Sequence, residues 1–192
     1  MIKKLQALKA KKGFTLVELV VVIAIIGVLA AILIPTMLGV VQDSRITSAD
    51  SLAKQIKDQT NTFITKMDTA KRPLKAGNGD IKFKVTNGSW TVNGAEVGSW
   101  GSGADWSGSD INYNYTAYMA DIMRDLKNAS VSISLKNNAV DGVAVVDGDD
   151  SYGTFPTATD WSDGTFDFGG TKAGVYSDGV IIGTAPKLNL ST

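Results

Sequence analysis

The dominant feature of the hydrophobic pattern lies between Leu19 and Gln42, where 24 consecutive residues carry no charge. About 20 apolar residues at a rise of about 1.5 Å each cross a bilayer core, so this run predicts a helix of membrane-spanning length. Past it the pattern changes but does not stop. Leu38, Val41, Ile46, Ala49, Leu52, Ala53, Ile56, Thr60, Phe63, Ile64 and Met67 recur at the helical period. Asp43, Arg45, Asp50, Lys54, Lys57, Asp58 and Lys66 fill the places between them, which predicts an amphipathic continuation with a surface to cover. A helix from about Phe14 to Met67 would be about 80 Å long. Pro35 lacks the N–H for an i to i−4 bond, so a kink or local melting is expected over Ala31 to Pro35. Gly27 and Gly39 lower helix propensity on either side. Lys71-Arg72-Pro73 and Gly77-Asn78-Gly79 predict its end.

From about residue 77 the texture shifts to Gly, Ser, Thr, Asn, Asp and aromatic residues. Strand-like alternation marks Ile81–Val85, Trp90–Val92, Val131–Leu135, Val143–Val146 and Val175–Ile182. Asn87-Gly88, Asn93-Gly94, Asp141-Gly142 and Asp178-Gly179 are expected as turns, most simply of hairpins. One helix, Tyr115 to Asn128, is expected among the strands, with Tyr115, Tyr118, Met119, Ile122 and Leu126 on one face. The fold class is therefore α+β: a long N-terminal helix on a mainly antiparallel sheet.

Composition removes several chemistries. The 192 residues include no Cys and no His, so there is no disulfide, thiol nucleophile, imidazole base or His-ligated zinc, and an enzyme is the last reading. Nineteen basic groups balance nineteen acidic ones, but five lysines crowd Met1 to Gly13. The remaining residues carry 14 basic and 19 acidic groups, a net of −5. That acidic body argues against direct nucleic-acid binding. Lysines on the N-terminal side alone hold that end in the cytoplasm and send the body outward. Only two of the acids are Glu, and Glu18 opens the apolar run, where a carboxylate is costly and points to function. A secretory signal peptide cut near Val28-Leu29-Ala30 is the alternative; Glu18 and the apolar character beyond Ala30 count against it.

Lys11-Lys12-Gly13-Phe14-Thr15-Leu16-Val17-Glu18, leading into Leu-Val-Val-Val-Ile-Ala-Ile-Ile-Gly-Val-Leu-Ala-Ala-Ile-Leu-Ile-Pro, resembles the class III leader and N-terminal helix of type IV pilins and pseudopilins. The resemblance covers about the first 45 residues. It implies the pilin fold, with a cleaved leader at 1–13, a long helix at 14–72 (transmembrane and fibre core at 14–42, amphipathic at 43–72) and a head at 73–192. It further implies that a membrane prepilin peptidase cuts after Gly13 and N-methylates Phe14, and that Glu18 meets the N-terminal amine of a neighbouring subunit during assembly. Paired, a desolvated carboxylate and ammonium are tolerable; either alone in lipid is not. Pro35 matches a proline common in this helix. The implied function is a structural pilus subunit: a membrane prepilin that becomes a helical homo-oligomer outside the cell, working with the peptidase, an assembly platform and other pilins. The alternatives are a major pseudopilin of a type II secretion or DNA-uptake system, and a minor pilin or adhesin with a sugar-binding head. The missing Cys removes the C-terminal disulfide of many Gram-negative pilins, which suits a Gram-positive source.

Two head segments carry candidate chemistry. Trp100 and Trp106 lie in a Gly/Ser-rich stretch and are candidate sugar-stacking rings; Trp90 and Trp161 complete the four tryptophans. Large aromatics are more often buried, so core or subunit-contact roles compete with that reading. Asp147, Asp149, Asp150, Asp160, Asp163 and Asp167 place six acids within 21 residues. Calcium takes six to eight oxygen ligands, making Asp147, Asp149, Asp150 and Asp163 candidate ligands, with solvated turns as the alternative. The spacing does not fit an EF-hand, since Tyr152 and Ala158 stand where Gly and Glu belong. No other cofactor is expected.

Overall fold

The computed structural model describes residues 13–72, 79–92, 114–137, 139–148, 155, 158–167 and 181–191. It divides into two compact units, Met1–Asp43 and Ser44–Thr192. A single helix, α1 (Leu16–Thr69), contributes to both. The helix is unbroken through Pro35, so of the expected kink or local melting, melting does not occur. One proline removes one N–H and leaves one carbonyl free, and next to it the Thr36 hydroxyl donates to the Leu33 carbonyl at 2.9 Å. At the other end Arg72 N–H donates to Met67 O at 2.9 Å and Lys71 N–H to Asp68 O at 3.0 Å. With Lys71 at φ 57°, this is a Schellman motif built without glycine.

In the second unit, β1 (Gly79–Thr86), β2 (Ser89–Val92), β3 (Ala129–Lys136), β4 (Ala139–Asp147) and β6 (Ile182–Ala185) form a five-stranded sheet in the order β2-β1-β3-β4-β6. Every neighbouring pair is antiparallel. The short strands β5 (Thr165–Asp167) and β7 (Asn189–Ser191) form a separate parallel pair. Helices α2 (Tyr115–Ile122) and α3 (Ala158–Asp163) complete the elements. Asn87 at φ 52° and Gly88 at φ 80° turn the β1–β2 hairpin, both positive as a type I′ turn requires.

Two sequence expectations change, and a third lies mostly outside the described residues. Asp141-Gly142 is not a turn; both residues lie inside β4, and the β3–β4 hairpin turns at Asn137, φ 52°. Asp141 is instead the extra residue of a bulge, because Ser134 pairs with Gly142 while Leu135 pairs with Val140. Helix α2 stops at Ile122, well short of Asn128. Residues 127 and 128 serve the sheet: Gly88 N–H donates to Lys127 O at 2.9 Å, and Asn87 N–H to Asn128 Oδ1 at 3.1 Å. Of the strand expected at Val175–Ile182, only Ile182 lies in β6; residues 175–180, and Asn93-Gly94 and Asp178-Gly179, lie outside the described residues.

Each face of the sheet carries an apolar cluster. On one, Ala53, Ile56, Phe63 and Met67 of α1 pack with Phe83, Val85, Val131, Ile133, Leu135 and Val143, and α2 adds Tyr115 and Met119. These α1 positions are the buried stripe that the amphipathic pattern predicts, with Leu52 and Ile64 at its margin. On the other face, Ala144, Val146, Phe155, Trp161, Ile182 and Leu188 form a smaller cluster. The opposite side of α1 is exposed, and its hydroxyls are turned inward on the helix itself. Ser51, Thr62, Thr65 and Thr69 donate to the carbonyls of Thr47, Asp58, Asn61 and Thr65 at 2.8, 2.8, 2.9 and 2.8 Å.

Tyr115 is the centre of the larger core. Its ring meets Phe63, Phe83 and Trp90 with centroids 5.4, 5.1 and 6.3 Å away. Its hydroxyl shares a 2.8 Å hydrogen bond with Thr60, whose own hydroxyl also reaches the Ile56 carbonyl at 2.6 Å. Burial pushes the phenol well above its ordinary 10.0. The unfolded chain therefore releases this proton first, so stability is intact below pH 10.0 and falls as pH rises beyond it. Tyr115→Phe is expected to cost about 1 kcal/mol at neutral pH and to flatten that alkaline loss, measurable by urea melts at several pH values.

Two glycines mark close approaches. A Cβ on Gly183 of β6 would collide with the Ala49 carbonyl group of α1. On Gly142 it would collide with the Trp161 ring, which lies against the strand there. Asp50, next to Ala49, accepts Thr184 N–H at 2.9 Å and faces Lys187 at 3.4 Å, fastening α1 to the edge strand.

Candidate functional site

The residues singled out at the N-terminus lie at the start of α1. Thr15 N–H donates to a Glu18 carboxylate oxygen at 2.8 Å, and Glu18 N–H donates back to Thr15 Oγ1 at 3.2 Å. The Thr15 hydroxyl also reaches that carboxylate, at 2.9 Å. This is a reciprocal capping box, with Thr15 as the N-cap and Glu18 three residues on. Thr-x-x-Glu before an apolar run is its sequence signature, a signal that the family resemblance at the same residues overshadows. The box satisfies donors that a helix start otherwise leaves open, and the carboxylate also complements the positive end of the helix dipole. Phe14 precedes the cap and is 86% exposed.

Behind the cap, none of residues 13–48 is buried. Leu16, Val17, Ile23, Val28, Ile32, Leu33, Ile34 and Leu38 are all more than half exposed. Helix α1 is long and apolar enough to cross a membrane by length and composition. Soluble monomers rarely leave contiguous apolar surface of this extent uncovered, so the segment calls for lipid or protein around it. Thr15→Ala is expected to remove the N-cap bond and cost the helix start about 1 kcal/mol, while Thr15→Ser keeps it. Amide exchange at residues 15–19 in lipid micelles would read the difference as faster exchange for Ala only.

Trp100, Trp106, Asp149 and Asp150 lie outside the described residues. Asp147 is the last residue of β4, and Asp163 is exposed at the end of α3. Among the described residues no group of three acids could hold a metal ion. Trp90 and Trp161 are buried, 4% and 8% exposed, one in each core cluster.

A membrane-length apolar helix that continues onto a multi-stranded antiparallel sheet is the α+β pilin fold, and residues 8–34 match the prokaryotic N-terminal methylation motif. Residues 46–189 match DUF5021, a domain of unknown function, and the chain belongs to that family. It is also similar to a fimbrial protein of Moraxella nonliquefaciens, 44% identical over 55 residues, which are 29% of this chain and 36% of that one. A fimbrial protein of Pseudomonas aeruginosa is 44% identical over 57 residues, 30% of this chain and 37% of the relative. Fimbrial protein EcpC of Eikenella corrodens is 51% identical over 45 residues, 23% of this chain and 29% of that protein. The chain spans about a third of the length of the curated relatives it matches. No solved structure matches it.

Proposed function

We propose that the chain is a structural subunit of a type IV pilus-like filament, made as a membrane prepilin, cut after Gly13 and polymerised through α1. The observation that carries this reading is the uncovered apolar length of α1 with a capped carboxylate at its head. In this reading residues 1–13 are the leader, 14–72 the assembly helix and 73–192 the head. The leader keeps the N-terminus cytoplasmic and the head passes outside, where copies pack helix against helix. The peptidase, an assembly platform and other pilins act on it from the membrane, and no catalytic role is assigned to the chain. Cleavage places the new ammonium of Phe14 beside Thr15, so a neighbour's amine can pair with Glu18 as both leave water. Pro35, between Gly27 and Gly39, is the place where such packing would bend the helix. The fimbrial relatives and the methylation motif support the reading.

Mass spectrometry of material sheared from the cell surface tests it. The expected result is a chain that begins at methylated Phe14 within filaments. A chain that keeps Met1, or starts near Ala31, would overturn the processing step. A chain correctly processed but absent from surface filaments would move it to the pseudopilins. Calcium at Asp147, Asp149, Asp150 and Asp163 belongs to the same proposal: the melting temperature should rise in millimolar calcium and fall with chelator. Sugar stacking on Trp100 and Trp106 is tested by glycan-array binding.

A further inference from the structure

We infer that a groove between α1 and the β6–β7 corner is a subunit-subunit contact, which receives the acidic helix α3 of a second copy of this chain. The inference rests on the filament reading above and names a contact within it. The groove, of about 430 Å³, is lined on the helix by Ser51, Lys54, Lys57 and Asp58 and on the corner by Pro186 and Lys187. Asp50 ties its two walls together through Thr184 and Lys187. Lys57 is held by the Asp141 carbonyl at 2.8 Å, at the bulge that turns β4. Burial lowers the pKa of its ammonium from the ordinary value, and the nearby Asp141 and Asp58 carboxylates offset that only in part. Three ammonium groups and two carboxylates, Asp50 and Asp58, thus line the groove, leaving it a net of +1 on a body whose net charge is −5, with Lys54 as a cation outside any ion pair among the described residues.

Charge complementarity selects the occupant. Helix α3, Ala-Thr-Asp-Trp-Ser-Asp, carries Asp160 and Asp163 and no base, and Asp163 is exposed. It lies over the opposite face of the sheet from α1, held there by Trp161 against Gly142. A contact between two different faces of identical subunits is heterologous and need not close on itself, which is the symmetry an open helical filament requires. Opposite charge at this contact also steers the approach of an otherwise acidic, self-repelling body.

The absence of native cysteine makes the test direct. Filaments of the full chain with Lys54→Cys and Asp163→Cys together are oxidised and run without reductant. The expected result is a ladder of covalent multimers from the double variant and dimers only when the two single variants are mixed, the pattern of a heterologous contact. Filaments that remain monomeric on oxidation would overturn the inference while leaving the filament reading intact. Should the cysteines themselves block assembly, Lys54→Glu is expected to reduce filament yield and Asp163→Lys in the same chain to restore it; failure of that rescue would also overturn it. If the unaltered chain forms no filaments, the filament reading falls and takes this contact with it.

Discussion

Glu18→Ala should leave the chain inserted in the membrane and cleaved at Gly13, yet nearly free of surface filaments. Breaking a buried ion pair by removing one member costs about 3 to 5 kcal/mol, because the remaining charge stays desolvated. At about 1.4 kcal/mol per tenfold, that is a loss of at least a hundredfold in the assembly equilibrium. Insertion should improve slightly, since a carboxylate leaves the apolar helix. The capping box adds a second effect to separate, because Glu18 also holds the Thr15 N–H at 2.8 Å. Glu18→Gln separates the two: glutamine serves in a capping box but carries no charge. If charge pairing governs assembly, Gln fails almost as badly as Ala. If the cap governs it, Gln assembles normally, and immunoblots of sheared filaments against whole cells decide between them.

Gly183→Val is expected to prevent the second unit from folding. Even the first carbon of a side chain at this position would overlap the carbonyl carbon and oxygen of Ala49. These are backbone atoms of a helix pinned by the neighbouring Asp50, so no side-chain rotation relieves the contact. Overpacking of this kind costs about 3 kcal/mol for Ala and more for a branched side chain, against a total stability of about 5 to 15 kcal/mol for an ordinary domain. Gly183→Ala should therefore fold with a clearly lower melting temperature and Val should accumulate as degraded or aggregated chain. Equal urea midpoints for wild type and Gly183→Ala would show that α1 can shift away from β6 at little cost.

Much of this was legible in the chain. The long helix followed from an uncharged run joined to an amphipathic one, and the Asn87-Gly88 hairpin from a dipeptide that tolerates two positive φ angles. Those are local signals, and local physics decides them. Asp141-Gly142 misled because the same dipeptide grammar applies wherever it occurs, whereas the glycine is there to admit the Trp161 ring, a contact 19 residues away. The length of α2 was missed for a similar reason: Lys127 and Asn128 are spent on the β1–β2 turn, and nothing local announces that. At the N-terminus the resemblance alone carries the roles proposed for Gly13, Phe14 and Glu18. The capping box was equally visible in Thr15 and Glu18, yet it emerged only from the hydrogen bonds.

The threonines and serine on the outer side of α1 bear on how that side meets water. Read as letters they make a hydrophilic strip, but each hydroxyl proton is already given to a carbonyl one turn back. Thr62, Thr65 and Thr69 therefore keep acceptor capacity for solvent but no hydroxyl proton to spare. Such a strip is only weakly hydrated, and drying it against another surface strands no hydroxyl proton. Lysines or glutamines there would have to surrender their water, so the threonines leave the helix wettable on its own and easily dried in company.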